Sequence, residues 1–247
     1  MQMGESSLSI LVLGHKGMLG RTVYRRLTEF GYSVETIEDK WPSKFFFDKI
    51  TDSNSELLIN CIGAIPQKNP KGFSSNFDLP RDLCKNYKGW IIHPSSDCEK
   101  DKFPDDYCIS KKIGTDIIES HKKSFVIKGS IIGPEENSSY GLWSWFEKNK
   151  ERKINGFVNH KWNGVTSLEW SNICIEIMNG FIDNSVITVG VEPLSKFDLL
   201  GILNSKLSLG KKIIPVEDVV SIDRSMLVDC HRKGIKEQID DLIKWRK

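Results

Sequence analysis

The stretch Leu8 to Leu27, LSILVLGHKGMLGRTVYRRL, decides the fold. Its opening apolar run, rich in Ile, Leu and Val, predicts a strand buried on both faces. The run stops at Gly14, and Gly17 and Gly20 follow as the chain turns into an amphipathic helix. Such a turn lets a phosphate approach the backbone and face the unpaired N–H groups of a helix N-terminus. Gly14, Lys16, Gly17, Met18, Leu19 and Gly20 are therefore candidate dinucleotide contacts. The same three glycines also fit a tight strand–helix turn that binds nothing. Their place between a buried strand and a helix favours the nucleotide.

Working outward, 247 residues suffice for one core, or one core with a smaller appended lobe. A formal charge of +2 makes no case for nucleic acid or a polybasic membrane tether. No apolar stretch is long enough to span a bilayer, and the first residues lack the basic and apolar regions of a signal peptide. Six cysteines without a C-x-x-C pair favour reduced thiols and a cytoplasmic protein. The five histidines are equally dispersed, so no metal centre is expected.

Tyr32 to Ile37 predicts a second strand, ending at Glu38 and Asp39. An acid at that place accepts from an adenosine ribose and favours NAD. Lys16 in the glycine turn and Lys40 after the acids favour the 2′-phosphate of NADP instead. The balance tilts slightly to NADP(H), with NAD(H) as the alternative. Phe45 to Ile50 fits a short strand or a helix. Glu56 to Ile62 reads as a buried strand, and Cys61, Ile62 and Gly63 at its carboxyl end are candidate cofactor contacts. Asn76 to Tyr87 reads as a helix and Gly89 to Ser96 as a further buried strand. This alternation predicts an α/β fold, a Rossmann-type doubly wound parallel sheet.

The candidate chemistry follows. Ser95-Ser96-Asp97-Cys98 leaves a strand end, and a short polar loop leads to Tyr107-Cys108-Ile109-Ser110-Lys111 at the start of a helix. Tyr107 and Lys111, four apart, share a helix face. An ammonium near a phenol stabilises phenolate, and a serine at the strand end is placed to orient a carbonyl. Tyr-x-x-x-Lys by itself is uninformative; after a glycine-turn βα unit and a Ser-Ser strand end it points to proton transfer. Ser96, Tyr107 and Lys111 are the catalytic candidates.

With these residues in view, the chain resembles the short-chain dehydrogenase/reductase superfamily, and within it the sugar-nucleotide branch typified by dTDP-4-dehydrorhamnose reductase. Gly14, Gly17 and Gly20 match the cofactor glycines, Cys61 to Ile65 the strand-end contact, and Asn76 with Leu79-Pro80 the helix motif. Ser95-Ser96-Asp97 stands for Ser-Thr-Asp, with Tyr107 and Lys111 on the catalytic pair. The resemblance implies that Tyr107 protonates a ketone oxygen and that Lys111 holds the nicotinamide ribose while lowering the tyrosine pKa. Two departures stand out. Only ten residues separate Ser96 from Tyr107, where the family has a longer aromatic segment, and Lys128 replaces an arginine.

Further along, Ser124 to Ile132 reads as a strand and Ser139 to Asn149 as an aromatic-rich helix. The basic run Lys148 to Lys161 fits a solvated face or a rim for a diphosphate. Trp162 to Thr166 matches the segment before the helix under the sugar-nucleotide site, making Ser96, Asp97, Trp162 and Thr166 substrate candidates. Ser167 is the expected cap of helix Leu168 to Asn179, and Val186 to Val191 the expected last strand. Ile235 to Trp245 is amphipathic. The division is 1–133 plus 181–191 for the dinucleotide domain, and 134–180 plus 192–247 for a smaller discontinuous α/β substrate lobe. The resulting expectation is NAD(P)H-dependent reduction of a 4-keto nucleoside-diphosphate 6-deoxyhexose, with a homodimer admitted. Two alternatives stand beside it: an epimerase/reductase using Cys98, and a non-catalytic dinucleotide-binding subunit.

Overall fold

Alternate residues of the first strand, β1 (Ser9–Leu13), belong to different cores. Ile10 and Val12 pack on one side of the sheet, Leu11 and Leu13 on the other. That is the period-2 consequence of a strand covered on both faces. The computed structural model describes residues 8–68, 72–100 and 104–247. From β1 the chain runs through α1 (Met18–Glu29), β2 (Ser33–Thr36), α2 (Lys44–Asp52), β3 (Leu57–Asn60), α3 (Asp78–Asn86), β4 (Trp90–Pro94) and α4 (Asp106–Glu119) to β5 (Ser124–Lys128). Then come β6 (Ile131–Ile132), α5 (Leu142–Lys148), β7 (Lys153–Phe157), β8 (His160–Trp162), β9 (Val165–Thr166), α6 (Ser167–Met178), β10 (Val186–Gly190), β11 (Leu194–Ser195), α7 (Lys196–Lys206), β12 (Lys212–Val216), β13 (Ile222–Asp223), β14 (Cys230–His231) and α8 (Ile235–Arg246).

The main sheet has seven strands in the order β14-β10-β5-β4-β3-β1-β2, and every neighbouring pair is parallel. Val23 and Leu27 of α1 and Trp170, Ile173 and Cys174 of α6 cover one face. Phe46 and Ile50 of α2, Leu79 and Leu83 of α3 and Ile118 of α4 cover the other. The predicted doubly wound α/β fold is therefore present. A second core, built on Trp143, Phe146, Ile154, Leu199, Leu203, Ile239 and Leu242, belongs to a smaller lobe. That lobe contains the parallel pair β7–β12 and the mixed sheet β11-β8-β13.

Of the strand and the helix that Phe45 to Ile50 fits, the structure has the helix, α2, because the Ser43 hydroxyl accepts from Phe46 N at 3.2 Å and caps it. Other elements differ from the sequence reading. Ser124 to Ile132 breaks into β5 and β6 around Gly129, where a Cβ would stand 2.9 Å from the Val189 carbonyl oxygen. The cap of α6 is Thr166, whose side chain accepts from Glu169 N, while the Ser167 hydroxyl accepts from Thr22 Oγ1 at 3.1 Å. β10 is not the last strand, since β14 adds at the sheet edge. Two segments that the sequence division assigns to the second lobe, α6 and β14, thus lie on the main sheet. Helix α6 is apolar on most sides and packs against both α1 and α8.

Candidate active site

The carboxyl ends of parallel strands collect loops at one edge, where open α/β sheets bind ligands. At the end of β1, Gly14 has φ +75°, and a Cβ there would lie 2.9 Å from the Cys61 carbonyl oxygen. Gly17 N donates to Gly14 O at 2.9 Å and closes the turn. Gly20 presses the first turn of α1 onto Gly14, for its Cβ would stand 2.2 Å from the Gly14 carbonyl oxygen. Gly17 caps α1 with no side-chain hydrogen bond, leaving first-turn N–H groups without a side-chain acceptor. This bare cradle fits a pyrophosphate.

Lys16 and Glu38, which argue for opposite cofactors in the sequence, form an ion pair with one another. His15 Nε2 adds a contact to Glu38 Oε1 at 2.9 Å. The hydrogen bond from Lys16 is the main reason the Glu38 carboxyl sits below its ordinary value. Asp39 is paired with Lys49 at 2.6 Å. At the end of β3, Asn60 Oδ1 accepts from Ile62 N at 3.0 Å and shapes the turn through Cys61, Ile62 and exposed Gly63. Asn60 Nδ2 meets His93 Nδ1 on β4 at 3.1 Å. The Asn76 side chain holds Ala64 N at 2.8 Å and Ser110 Oγ at 3.0 Å, joining this turn to α4.

Ser96 leaves β4 opposite the first turn of α4, where the Asp105 side chain accepts from Cys108 N at 2.8 Å. Tyr107 is half-buried, with its phenol near enough to Ser96 to feel its hydroxyl. Burial pushes its phenol above the usual tyrosine value, against the lowering effect of Ser96. Ser96 Oγ also lies 3.2 Å from Asp97 Oδ1 and 3.3 Å from Cys98 Sγ. Lys111 is 8% exposed, and its Nζ donates to the Pro94 carbonyl at 2.9 Å. Burial pulls its ammonium below the ordinary lysine value, and Glu99 opposes this. Phe73 packs edge-on against the Tyr107 ring at 5.7 Å. Cys98 is buried and its thiol is pushed up by burial, so it stays protonated at neutral pH.

The second lobe contributes a wall from which the sequence candidates include Trp162 but neither of its cations. In the β11-β8-β13 sheet, register places Leu194 opposite Trp162 and Ile222 opposite His160. Lys196 and Arg224 leave the ends of β11 and β13 on this sheet. Both are half-buried, and Asp97 and Asp218 counter the lowering of Lys196 by burial and by Arg224. Arg224 also acts on Cys98 and Asp105. The fields of two cations from the second lobe thus reach Asp97, Cys98 and Asp105, the chain neighbours of Ser96 and Tyr107. Trp162 is buried in the β8 face, and Thr166 is fully buried with its hydroxyl committed to the α6 cap. Lys128 pairs with Glu119 at 2.6 Å, and Lys148 donates to the Ser138 carbonyl at 2.6 Å. No group of metal-ligating side chains occurs among the described residues, and no helix there is long and apolar enough to cross a membrane.

A parallel seven-stranded sheet with a glycine turn at β1 defines a Rossmann-like α/β protein. No protein-family model and no curated protein matches the chain in sequence. Solved structures do match its fold. The dTDP-4-dehydrorhamnose reductase of Bacillus anthracis, in complex with NADP, aligns with TM-score 0.81 over 97% of this chain and 99% of that one, at 12% identity. The dTDP-4-dehydrorhamnose reductase of Yersinia enterocolitica aligns with TM-score 0.74 over 96% and 99%, at 16% identity. The UDP-glucose 4-epimerase of Thermotoga maritima, with UDP-glucose, gives 0.75 over 97% and 99%, at 15% identity.

Proposed function

We propose that this chain is an NAD(P)H-dependent reductase of a nucleotide sugar, acting on the 4-keto group of a nucleoside-diphosphate 6-deoxyhexose. The observation that carries the reading is the meeting of the β4 strand end that carries Ser96 with the α4 face that carries Tyr107 and Lys111, where Lys111 Nζ donates to the Pro94 carbonyl at 2.9 Å. The glycine cradle at Gly14, Gly17 and Gly20 holds the pyrophosphate, and Cys61 to Gly63 line the turn toward the nicotinamide. When bound, the reduced nicotinamide supplies the hydride to the carbonyl carbon. Ser96 orients the ketone oxygen, and Tyr107 gives that oxygen its proton. A phenol kept protonated by burial suits the acid role. Lys111 would hold the ribose and stabilise the phenolate left behind. Lys196 and Arg224 offer positive charge to the diphosphate.

The fold relatives bound to NADP or to UDP-glucose support this ligand pair. Buried, protonated Cys98 is a poor base, so plain reduction is preferred to combined epimerisation. A dinucleotide-binding subunit without turnover would have no use for Ser96, Tyr107 and Lys111 together. The test is NAD(P)H oxidation on a panel of 4-keto nucleotide sugars, with products analysed by NMR. Tyr107→Phe should lower kcat roughly 10²-fold or more. A well-folded Tyr107→Phe that reduces the ketone at full rate would refute the acid role.

A further inference from the structure

A carboxylate lies beside the candidate site that the reduction does not use. Glu99, in the turn Asp97–Lys100, is half-buried. It accepts hydrogen bonds from Ser95 Oγ and, at 2.6 Å, from Thr115 Oγ1. Thr115 Oγ1 also lies 3.1 Å from Ser95 Oγ, which accepts from Ser96 N at 2.6 Å. Tyr107, Lys111 and Thr115 recur every four residues and share one face of α4. One carboxylate therefore joins the strand end that carries Ser96 to the helix face that carries the other two candidates.

The same carboxylate answers a charge. Lys111 is buried with a neutral carbonyl as its hydrogen-bond partner. A buried ammonium without a counter-charge is costly. Around it, burial and Lys111 itself hold His93 on β4 far below its ordinary pKa, so it is neutral. The thiol of Cys98 and the phenol of Tyr107 are both pushed up and are neutral too. Among the influences on Lys111, Glu99 is the largest that favours the charged form.

We propose that Glu99 is a positioning residue: through Ser95 and Thr115 it sets Ser96 against the Tyr107–Lys111 face, and it supplies the counter-charge that keeps Lys111 an ammonium inside the protein. The consequence for turnover rests on the reductase reading, whereas the counter-charge does not. The first measurement therefore needs no substrate. The Lys111 ¹³Cε resonance, assigned by its loss in Lys111→Met, is followed against pH in lysine-labelled protein.

Glu99→Gln keeps an acceptor for Ser95 and Thr115 but removes the charge; its Lys111 midpoint should move to lower pH. Glu99→Val removes both, so the midpoint falls and kcat drops roughly tenfold or more with KM within about twofold. Thr115→Glu added to Glu99→Val brings a carboxylate to the same place from α4, and should restore both readings. An unmoved Lys111 midpoint in folded Glu99→Gln and Glu99→Val would overturn the counter-charge. Turnover still lost in the double variant after the midpoint has returned would overturn the positioning role. Should the wild-type chain reduce no keto sugar, the reductase reading fails and the titration still decides this one.

Discussion

Gly114→Ala tests how the fold places the candidate site. Gly114 lies within α4, where a Cβ would stand 1.8 Å from the Asn76 carbonyl oxygen, 3.0 Å from its carbon and 3.3 Å from Pro80 Cγ. Carbon and carbonyl oxygen stay about 3.3 Å apart even in close C–H···O contacts. The helix or the Asn76 turn must therefore retreat by more than an ångström. Alanine contributes about 1 kcal/mol of helix propensity over glycine. Overpacking costs ~1–3 kcal/mol, and the upper end applies because the clash is with backbone. The net expectation is a loss of about 2 kcal/mol. Gly201, in α7, has nothing within 4 Å of its ideal Cβ. Gly201→Ala should gain the propensity alone, about 1 kcal/mol, so the two variants should differ by about 3 kcal/mol in urea unfolding. Because α4 carries Tyr107 and Lys111, Gly114→Ala should also lower kcat up to about 100-fold while Gly201→Ala leaves it unchanged. Equal stability of the two variants would refute the close approach of α4 to Asn76.

At β1, Gly20→Ala puts a Cβ 2.2 Å from Gly14 O and should abolish NADPH binding by fluorescence titration, whereas Gly17→Ala, with 3.3 Å to the same atom, should keep the fold. His93 is held neutral in the native protein, with a folded pKa well below 6.5. An unfolded chain takes up a proton there that the folded one refuses, so stability falls as pH drops below about 6.5 until the folded value is reached. The slope is about 1.4 kcal/mol per pH unit, and urea midpoints at pH 7.5, 6.5 and 5.5 should show it flattened in His93→Gln. Lys16→Ala should weaken NADPH binding roughly tenfold and spare NADH, and Glu38→Gln should shift preference toward NADPH. Calorimetric affinities that keep the same NADPH-to-NADH ratio in both variants would remove these side chains from cofactor choice.

The fold was legible where burial dictates composition. The strands β1, β3, β4 and β5 are continuous apolar runs because both faces of a parallel sheet are covered, and glycines mark the turn after β1. Legibility was partial where one apolar run satisfies two periods. Phe45-Phe46-Phe47 fits a strand as well as a helix, and the cap at Ser43, three residues before Phe46, decides for the helix. Legibility failed where two capping residues adjoin, as at Thr166 and Ser167. Gly129 hid the break after β5, because its need for a glycine comes from Val189, sixty residues on.

The candidate site divides along the same line. Ser96, Tyr107 and Lys111 come from two consecutive elements, so helical spacing and a strand end were enough to propose them together. Thr115 lies on the same face and was within reach of that argument. Lys196 and Arg224 were not, because they follow β11 and β13, which come together only through strand register with β8 in the second lobe. Lys16 and Glu38 are the sharpest case. Read along the chain, a basic and an acidic residue argue for different cofactors; in the folded protein they are one ion pair, with His15 on the same carboxylate. Both side chains are largely exposed, and such pairs are weakly held in water. A 2′-phosphate therefore competes for Lys16 at little cost, and a 2′-hydroxyl competes for Glu38 equally easily. Selectivity then follows from which partner the dinucleotide draws away, which is why the ratio of affinities, and not either affinity alone, is the quantity to measure.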